Sequence, residues 1–363
     1  MSRVNIAAAL AADLTRFING DTPDDATFDV LARRLFAYQY EFNAPYRRFC
    51  NGRGASPDLI ENWRQIPAAP AAAFKAFALT CASEDLCTPE HGGRIFHSSG
   101  TTGAETSRHF LDAAALDLYR ASLRAGYRRF VPVETASIIA VMPTPAEAPH
   151  SSLSFMLEDL RAEFVSPQGD WAPQFAATLR HPDGVRTYFG TAFAWVNLFD
   201  TVSERFRLPK GSVVLETGGF KGRSREISRD DLYALFAERL GVPPTHAIAE
   251  YGMSEMASQF YDSALIDSLS WRQRTSRKVA PYWLKTRIID PITSQEAEPG
   301  QPGLLAHYDL ANLNSVLAIQ TEDYGHTAED GDGFILLGRA PGAILRGCSL
   351  TAEEMTNMQS TQP

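Results

Sequence analysis

The heptapeptide His97-Ser98-Ser99-Gly100-Thr101-Thr102-Gly103 is the most informative stretch of the sequence. It follows the short run Arg94-Ile95-Phe96, which predicts a β-strand that leads into a glycine-rich segment. Two glycines allow a tight backbone path while hydroxyls and exposed amides supply hydrogen-bond donors, so the segment can hold a polyphosphate. It is not a Walker loop, because no Gly-Lys-Ser/Thr follows. The alternative is an ordinary polar turn, since Ser, Thr and Gly dominate turns.

Short apolar runs alternate with helical patterns on the C-terminal side of this loop, which is typical of an α/β protein. Asp112 can cap a helix with one apolar stripe, and Ser228 can cap another that stops at Gly241. Residues 1 to about 90 are predicted to form helices and loops. The strands predicted beyond the loop cover residues 138–142, 212–215, 247–249, 286–289, 303–306, 316–319 and 333–337.

Composition narrows the class of protein. The 363 residues include 34 Lys and Arg against 43 Asp and Glu, a net charge of −9 that disfavours binding to nucleic acid. Hydrophobic residues at 44% and charged residues at 21% indicate a folded globular chain. Four cysteines are too few for a disulfide scaffold, and no run reaches the roughly 18 apolar residues of a membrane span. We therefore expect a cytoplasmic protein that is not integral to a membrane.

The loop at residues 98–103 resembles the signature loop of the adenylate-forming enzymes, which include acyl-CoA synthetases, luciferases and peptide-synthetase adenylation domains. Four further segments follow in the order of that superfamily. They are Thr217-Gly218-Gly219, Tyr251-Gly252-Met253-Ser254-Glu255, Thr321-Glu322-Asp323 and Gly338-Arg339.

A narrower resemblance extends over nearly the whole chain, to the acyl-protein synthetase (LuxE-like) family of bacterial luminescence operons. It rests on Ile66-Pro67 through Pro70 to Phe74-Lys75, His150-Ser151-Ser152-Leu153-Ser154, Gly218-Gly219-Phe220-Lys221-Gly222, residues 250–255 and Arg346-Gly347-Cys348-Ser349-Leu350. The resemblance implies the α/β large-domain fold of adenylate-forming enzymes: two helix-flanked β-sheet subdomains, a small β-rich subdomain and a truncated C-terminal domain. Residues 1–338 would form the catalytic domain, and residues 339–363 a hinge and a vestigial C-terminal segment.

The resemblance also implies a two-step reaction. A carboxylic acid, expected to be fatty, attacks ATP to give an acyl-adenylate and pyrophosphate, and a thiol then displaces AMP to form a thioester. Holding two anions together requires a phosphate loop, Mg²⁺ and cationic donors. The expected partners are the acid and an acyl-carrier, reductase or transferase protein.

Residue roles follow from the matching motifs. Residues Ser98, Ser99, Gly100, Thr101, Thr102 and Gly103 would grip the phosphates. Gly218 and Gly219 would admit the adenine, on which Tyr251, next to Gly252, would stack. Ser254 would donate to the α-phosphate, Glu255 would ligate Mg²⁺, and Asp323 with Arg339 would bind the ribose. The ordinary alternatives are a core aromatic for Tyr251, a first-turn helical acid for Glu255, a turn residue for Asp323 and a strand-end cation for Arg339.

Two departures from the superfamily pattern bear on mechanism. The superfamily loop continues to a lysine, but Ala104-Glu105-Thr106-Ser107 follows here, so Lys221 or Arg108 would have to compensate. The usual C-terminal domain with its catalytic lysine is also missing after Arg339, which makes Lys221 and Arg346 candidates for that charge. His150 stands where the superfamily places a residue of the acid pocket.

Cys348 is the candidate acyl acceptor. The neighbouring Arg346 can lower the pKa of its thiol, and Gly347 can leave the sulfur accessible. In the resembled family, a cysteine near the C-terminus is thought to carry the acyl group. A small buried residue in a strand is the alternative.

Two other functions stay open at this point. One is a CoA ligase for an aromatic or short acid, similar to phenylacetate-CoA ligases. The other is a non-catalytic subunit of an acyl-processing complex, because the superfamily's terminal lysine has no counterpart.

Overall fold

The computed structural model describes residues 2–20, 22–98, 106–134, 137–218 and 227–340. The chain divides into two compact units. Unit 1 comprises residues 1–126, 252–259 and 279–363, and unit 2 comprises residues 127–251 and 260–278.

The helices and strands of the described residues follow in chain order. The helices are α1 (Arg3–Ile18), α2 (Asp25–Phe42), α3 (Ala44–Gly52), α4 (Ala73–Ala76), α5 (Ala113–Phe130), α6 (Ser152–Asp159), α7 (Trp171–Arg180), α8 (Ala192–Thr201), α9 (Arg229–Leu240) and α10 (Ala264–Leu269). The strands are β1 (Ala69–Pro70), β2 (Arg94–His97), β3 (Arg108–Leu111), β4 (Ile138–Val141), β5 (Glu163–Val165), β6 (Thr187–Thr191), β7 (Val213–Thr217), β8 (Ala247–Tyr251), β9 (Phe260–Asp262), β10 (Lys278–Val279), β11 (Leu284–Ile289), β12 (Gly303–Asp309), β13 (Ala318–Thr327) and β14 (Phe334–Arg339).

Unit 2 is built on a parallel sheet. Strands β5, β4, β6, β7 and β8 pair in that order, and β9 adds to β8 in the antiparallel sense. The predictions for β4, β7 and β8 are confirmed, and every residue of the three strands except Tyr251 is buried, although β7 and β8 also contain Glu216 and Glu250. Helices α7, α8 and α9 supply the core of this unit around Phe175, Trp195 and Phe236.

Helix α9 begins and ends where the sequence predicts. The Ser228 hydroxyl accepts a hydrogen bond from the backbone N–H of Asp231 at 3.1 Å. Gly241 ends the helix in the left-handed conformation, with φ of 73°, which glycine adopts without steric cost. The sequence analysis did not predict α6, α7, α8 or β6.

Unit 1 combines N-terminal helices with an antiparallel sheet. Strands β11, β12, β13 and β14 pair in sequence order, and β1 adds to β13 in the parallel sense. The strand predictions at 286–289, 303–306 and 333–337 are thus confirmed, whereas the prediction at 316–319 meets β13 only at its first two residues. The Gln39 side chain of α2 donates to the carbonyl of Asn312 at 2.7 Å and accepts from the N–H of Leu317 at 2.8 Å, which ties the helices to the β12–β13 connection.

Strands β2 and β3 form a hairpin, in which His97 pairs with Arg108. The loop at residues 98–107 therefore joins two antiparallel strands, and the sequence analysis missed the second of them. Helix α5 then begins after Asp112, whose carboxylate accepts from the N–H of Ala115 at 3.0 Å, as expected for a capping residue.

Among the described residues, no helix combines the length and the hydropathy needed to cross a membrane. The domain boundary predicted between residues 338 and 339 falls within β14, and residues 341–363 lie outside the described part. The division into a catalytic domain and a C-terminal segment stays a prediction.

Candidate functional site

The base of the glycine-rich loop is closed by two serines of unit 1. The Ser98 hydroxyl accepts a hydrogen bond from the backbone N–H of Ser107 at 3.0 Å, and the two hydroxyl oxygens are 3.2 Å apart. The backbone N–H of Ser98 also donates to the Ser107 carbonyl at 3.1 Å. Ser99, Gly100, Thr101, Thr102 and Gly103, which we predict to grip phosphates, lie outside the described residues.

Ser254 is bonded to both strands of the hairpin. Its hydroxyl donates to the carbonyl of His97 at 3.2 Å, and its own carbonyl lies 2.9 Å from Nδ1 of His109. Because a carbonyl only accepts, Nδ1 carries the proton and the imidazole is a fixed donor. Burial lowers the pKa of His109 to about 4, which keeps the ring neutral at physiological pH.

Glu255 places a carboxylate next to the loop base. The residue lies in a turn and its exposed fraction is only 5%, so the helical alternative is wrong. Burial raises the pKa of this carboxyl, against the opposing effects of a hydrogen bond from Ser107 and the positive charges of Lys75 and Arg339. The Glu255 carbonyl accepts from the Asn312 side chain at 3.0 Å, which fixes the turn.

Asp323 and Arg339 are brought together by sheet register. They stand opposite each other in the β13–β14 pair, with the Arg339 Nε atom 3.3 Å from Oδ1 of Asp323. Arg339 also donates to Glu322 at 2.6 Å, and its side chain is 69% exposed. Asp323 is therefore a strand residue and not the turn residue of the alternative interpretation. The ribose-binding role of the pair stays a prediction.

Unit 2 carries the other predicted nucleotide residues. Thr217 ends β7 opposite Glu250, and its hydroxyl donates to the buried Glu250 carboxylate. Gly218 follows with φ of 70°, in the left-handed region that favours glycine, and it is exposed. Tyr251 ends β8 with partial exposure and packs on Phe260 at 5.6 Å between ring centroids. Their proposed roles at the adenine stay predictions, and Gly219 lies outside the described residues.

A buried ion pair fixes the strand that carries Tyr251. Asp262 accepts from the N–H of Ala249 at 2.9 Å, and Lys278 donates to the carbonyl of the same residue at 2.8 Å. The two charged groups are 2.9 Å apart, and each side chain is at most 2% exposed. The β8–β9 ladder contains only the pairs at Glu250 and Tyr251. At Ala249 the two side chains therefore supply the hydrogen bonds that a neighbouring strand would otherwise make.

A second buried acid lies near this pair. Burial raises the pKa of Glu216 to about 7, although the charges of Arg229 and Lys278 oppose the shift. Arg229 lies 3.8 Å from the Glu216 carboxylate and 3.7 Å from that of Asp262. This cluster has no signal in the sequence, because charged residues that are buried within strands do not differ from solvent-facing ones in a single sequence.

The remaining predicted catalytic residues are spread over the chain. His150 is an exposed residue of unit 2 that precedes Ser151, the N-cap of α6. Lys221, Arg346 and Cys348 lie outside the described residues. Arg108, a suggested substitute for the missing loop lysine, is 4.0 Å from Glu84 and is therefore already paired with an acid.

The site offers Mg²⁺ a single carboxylate, that of Glu255. Within the described ranges, no group of three or more His, Cys, Asp or Glu side chains could hold a metal ion. Magnesium, however, is commonly bound by one or two carboxylates together with substrate phosphates. A single buried carboxylate beside a candidate phosphate loop, as at Glu255, suits that mode of binding.

The sequence is similar to a protein-family model and to two curated proteins that share one name. A model of the acyl-protein synthetase family, LuxE, matches residues 188–356. The long-chain-fatty-acid–luciferin-component ligase of Vibrio harveyi is 21% identical over 344 residues, which cover 89% of this chain and 86% of the relative. The protein of the same name from Aliivibrio fischeri is 22% identical over 317 residues, covering 83% and 79%.

Solved structures share the fold. An open conformation of 2-hydroxyisobutyryl-CoA ligase, in complex with 2-HIB-AMP and CoA, aligns with a TM-score of 0.62 at 13% identity, covering 89% of this chain and 75% of that one. A luciferase-like enzyme of the mealworm Zophobas morio aligns with a TM-score of 0.51 at 14% identity, covering 72% and 60%. The α/β fold predicted for this chain, that of the adenylate-forming enzymes, is thereby confirmed.

Proposed function

We propose that the chain is a member of the acyl-protein synthetase (LuxE) family and an ATP-dependent acid–thiol ligase, since a model of that family matches residues 188–356 and most of the chain aligns with two long-chain-fatty-acid–luciferin-component ligases. One observation in this chain carries the proposal. Ser98, Ser107, Ser254 and the buried Glu255 form one connected group at the base of the hairpin loop, beside the positive charges of Lys75 and Arg339.

The proposed reaction has two steps. In the first, a carboxylate oxygen of the acid bonds to the α-phosphorus of ATP while the bond to the bridging oxygen of pyrophosphate breaks. In the second, a thiolate attacks the acyl carbon, and the bond from that carbon to the AMP oxygen breaks. The products are pyrophosphate, AMP and a thioester, and the thiol proton is released to solvent.

Each residue of unit 1 has a physical task in this scheme. Ser98 and Ser107 hold the two ends of the loop together, and the segment between them would bind the phosphate oxygens. Glu255 would hold Mg²⁺, which when bound neutralises phosphate charge. Asp323 would accept from the ribose hydroxyls, and Arg339, whose Nε atom lies 3.3 Å from Oδ1 of Asp323, would hold that carboxylate in place.

The Ser254 hydroxyl needs a change of partner for its predicted role. It donates to the His97 carbonyl in this structure, so donation to the α-phosphate requires rotation about χ1. Its backbone is held by His109 independently of that rotation. A side chain that switches between a carbonyl and a phosphate leaves the turn at Ser254 and Glu255 in place.

The acid is proposed to be fatty, and the thiol to be Cys348, with CoA and a carrier protein as the other acceptors. The names of the two curated relatives, long-chain-fatty-acid–luciferin-component ligases, support the fatty acid. A reductase or transferase protein would then receive the acyl group. Arg346, Lys221 and His150 stay candidates for assisting charges.

Acid-dependent exchange of labelled pyrophosphate into ATP tests the first step. Acetate, phenylacetate and tetradecanoate serve as the panel, and we expect tetradecanoate to give the fastest exchange. Fastest exchange with phenylacetate, accompanied by acid-dependent consumption of CoA, would favour the aryl-CoA ligase. Absence of exchange with every acid would favour the non-catalytic subunit.

The second step is tested with labelled acid, ATP and Mg²⁺, followed by denaturation and measurement of protein-bound label that hydroxylamine removes. We expect Cys348→Ala to abolish this label while pyrophosphate exchange continues. Cys50→Ala is the matched control, because Cys50 is buried in α3. Full labelling of Cys348→Ala would exclude Cys348 as the acceptor.

A further inference from the structure

Helix α4 is anchored to the strand that carries Asp323. The two residues of β1 pair with β13, Ala69 opposite Ile319 and Pro70 opposite Gln320. The next N–H, of Ala71, donates to the Gln320 carbonyl at 2.9 Å. The short helix that starts two residues later is therefore held to the antiparallel sheet of unit 1.

The inner face of α4 lies against the hairpin. Phe74 is fully buried, and its ring contacts the His109 ring edge to face, with 6.4 Å between centroids. His109 is the residue that holds the Ser254 carbonyl. Lys75 follows Phe74 directly in α4, and its positive charge acts on the Glu255 carboxylate of the same turn as Ser254.

Lys75 is a cation available to a ligand. The residue is exposed, and its charge acts on the Glu255 carboxylate. Within the described ranges its ammonium group makes no hydrogen bond or ion pair. The neighbouring cations differ, because Arg108 is paired with Glu84 and Arg339 with Glu322 and Asp323.

The loop itself needs a cation from elsewhere in the chain. Residues 98–107 contain no Lys or Arg and one acid, Glu105. ATP brings several negative charges to this segment, and each charge held in a partly buried site must be neutralised. An ammonium group on a flexible four-carbon stem can follow a phosphate through a displacement, whereas a guanidinium fixed between two acids cannot.

We propose that Lys75 is a catalytic residue of this chain that contacts the phosphates of ATP at the loop base and supplies the positive charge that the loop lacks. The proposal deepens the acid–thiol ligase assignment and rests on it for the identity of the nucleotide. Lys75 transfers no proton in this scheme. It neutralises the charge that grows on the phosphate oxygens as the bond to pyrophosphate breaks.

The test compares wild type with Lys75→Met, Lys75→Arg and the control Lys210→Met. Lys210 is an exposed lysine of unit 2 to which no role is assigned. Calorimetric titration measures the affinity for Mg·ATP and for adenosine, and pyrophosphate exchange measures kcat and KM. Retained adenosine affinity shows that a variant is folded around its nucleoside site.

For Lys75→Met we expect the Mg·ATP affinity to fall about 10- to 100-fold, since a hydrogen bond to a charged group is lost, with adenosine affinity unchanged. We expect exchange kcat to fall on the order of 100-fold, as for loss of one preorganised donor. Lys75→Arg should recover part of both losses, and Lys210→Met should match wild type.

The outcomes separate the two proposals. If wild type binds Mg·ATP in a Lys75-dependent way but exchanges pyrophosphate with no acid, the phosphate role of Lys75 stands and the ligase assignment fails. Wild-type affinity and exchange in Lys75→Met would overturn the role of Lys75 and leave the ligase assignment intact. Absence of Mg·ATP binding in wild type would overturn both.

Discussion

Asp262 and Lys278 form a buried ion pair, 2.9 Å apart, that also bonds both backbone groups of Ala249. Each charged group therefore pairs with the other and also forms a hydrogen bond with one backbone group of Ala249 in strand β8. Ala249 lies two residues before Tyr251, so the position of that aromatic side chain depends on side-chain charges as well as on the β ladder.

Lys278→Met should destabilise the protein by about 3–5 kcal/mol, because it removes the ammonium group that lies 2.9 Å from the buried Asp262 carboxylate. The free energy of unfolding is measured by urea titration with circular dichroism as the readout. Lys210→Met, at an exposed lysine, should change it by no more than about 0.5 kcal/mol. Equal stability of the two variants would show that the ion pair with Lys278 contributes nothing to the stability of the fold.

Glu216 should make the folded state less stable as the pH rises from 4.5 through 7. Its pKa is about 7 when folded, against an ordinary value of 4.5, so the folded state binds more protons in this range. The charged or titratable groups that face it are Arg229, Lys278, Asp262, Glu250 and Tyr233. The stabilisation due to a protonated Glu216 is complete below pH 4.5 and lost above pH 7.

Urea titrations between pH 4.5 and pH 8 check this dependence in wild type and Glu216→Gln. The glutamine cannot ionise, so the variant should lose less stability than wild type over the same interval. Parallel curves for the two proteins would show that Glu216 titrates alike in the folded and unfolded states.

His109→Leu should lower the rate of acid-dependent pyrophosphate exchange, because the Ser254 carbonyl loses its buried donor. We expect a fall of about 10-fold, mostly in kcat, since the turn that carries Glu255 loses its alignment. His109→Asn retains an N–H donor near the position of Nδ1 and should recover part of the rate. A similar loss in both variants would assign His109 to packing against Phe74 alone.

Glu255→Gln should reduce exchange on the order of 100-fold while the fold is retained. The amide has nearly the same shape but carries no charge for Mg²⁺, so the concentration of Mg²⁺ required for half-maximal rate should rise. Titration of the exchange rate with Mg²⁺ provides the measurement. An unchanged Mg²⁺ requirement would remove Glu255 from the proposed metal site.

Local sequence signals predicted the elements that depend on local physics. Strands β4, β7 and β8 are apolar runs with clear stops, and α9 carries both a serine cap and a C-terminal glycine. Strand β3 could not be predicted in this way, because two of the four residues in its sequence Arg-His-Phe-Leu are polar. His109 is nevertheless buried there, because its Nδ1 has a carbonyl acceptor supplied from residue 254.

The candidate site was only partly predictable for the same reason. Asp323 and Arg339 were identified from motifs, and their contact follows from the register of two adjacent strands. Lys75 was noted only as part of a family-like segment, since its approach to Glu255 depends on how Phe74 packs. The pair Asp262 and Lys278 has no local signal at all, because its burial follows from the end of the β8–β9 ladder.

The pairing of β1 with β13 has a consequence for biosynthesis. Ala69 pairs with Ile319, so the segment that positions Lys75 cannot dock until some 250 further residues have been translated. Contacts between residues so far apart in sequence form late, because closing a long loop lowers the conformational entropy of the chain. A nascent chain stalled before residue 319 would therefore lack the β1–β13 pairing, and α4 with Lys75 would dock on the sheet only after that residue has been synthesised.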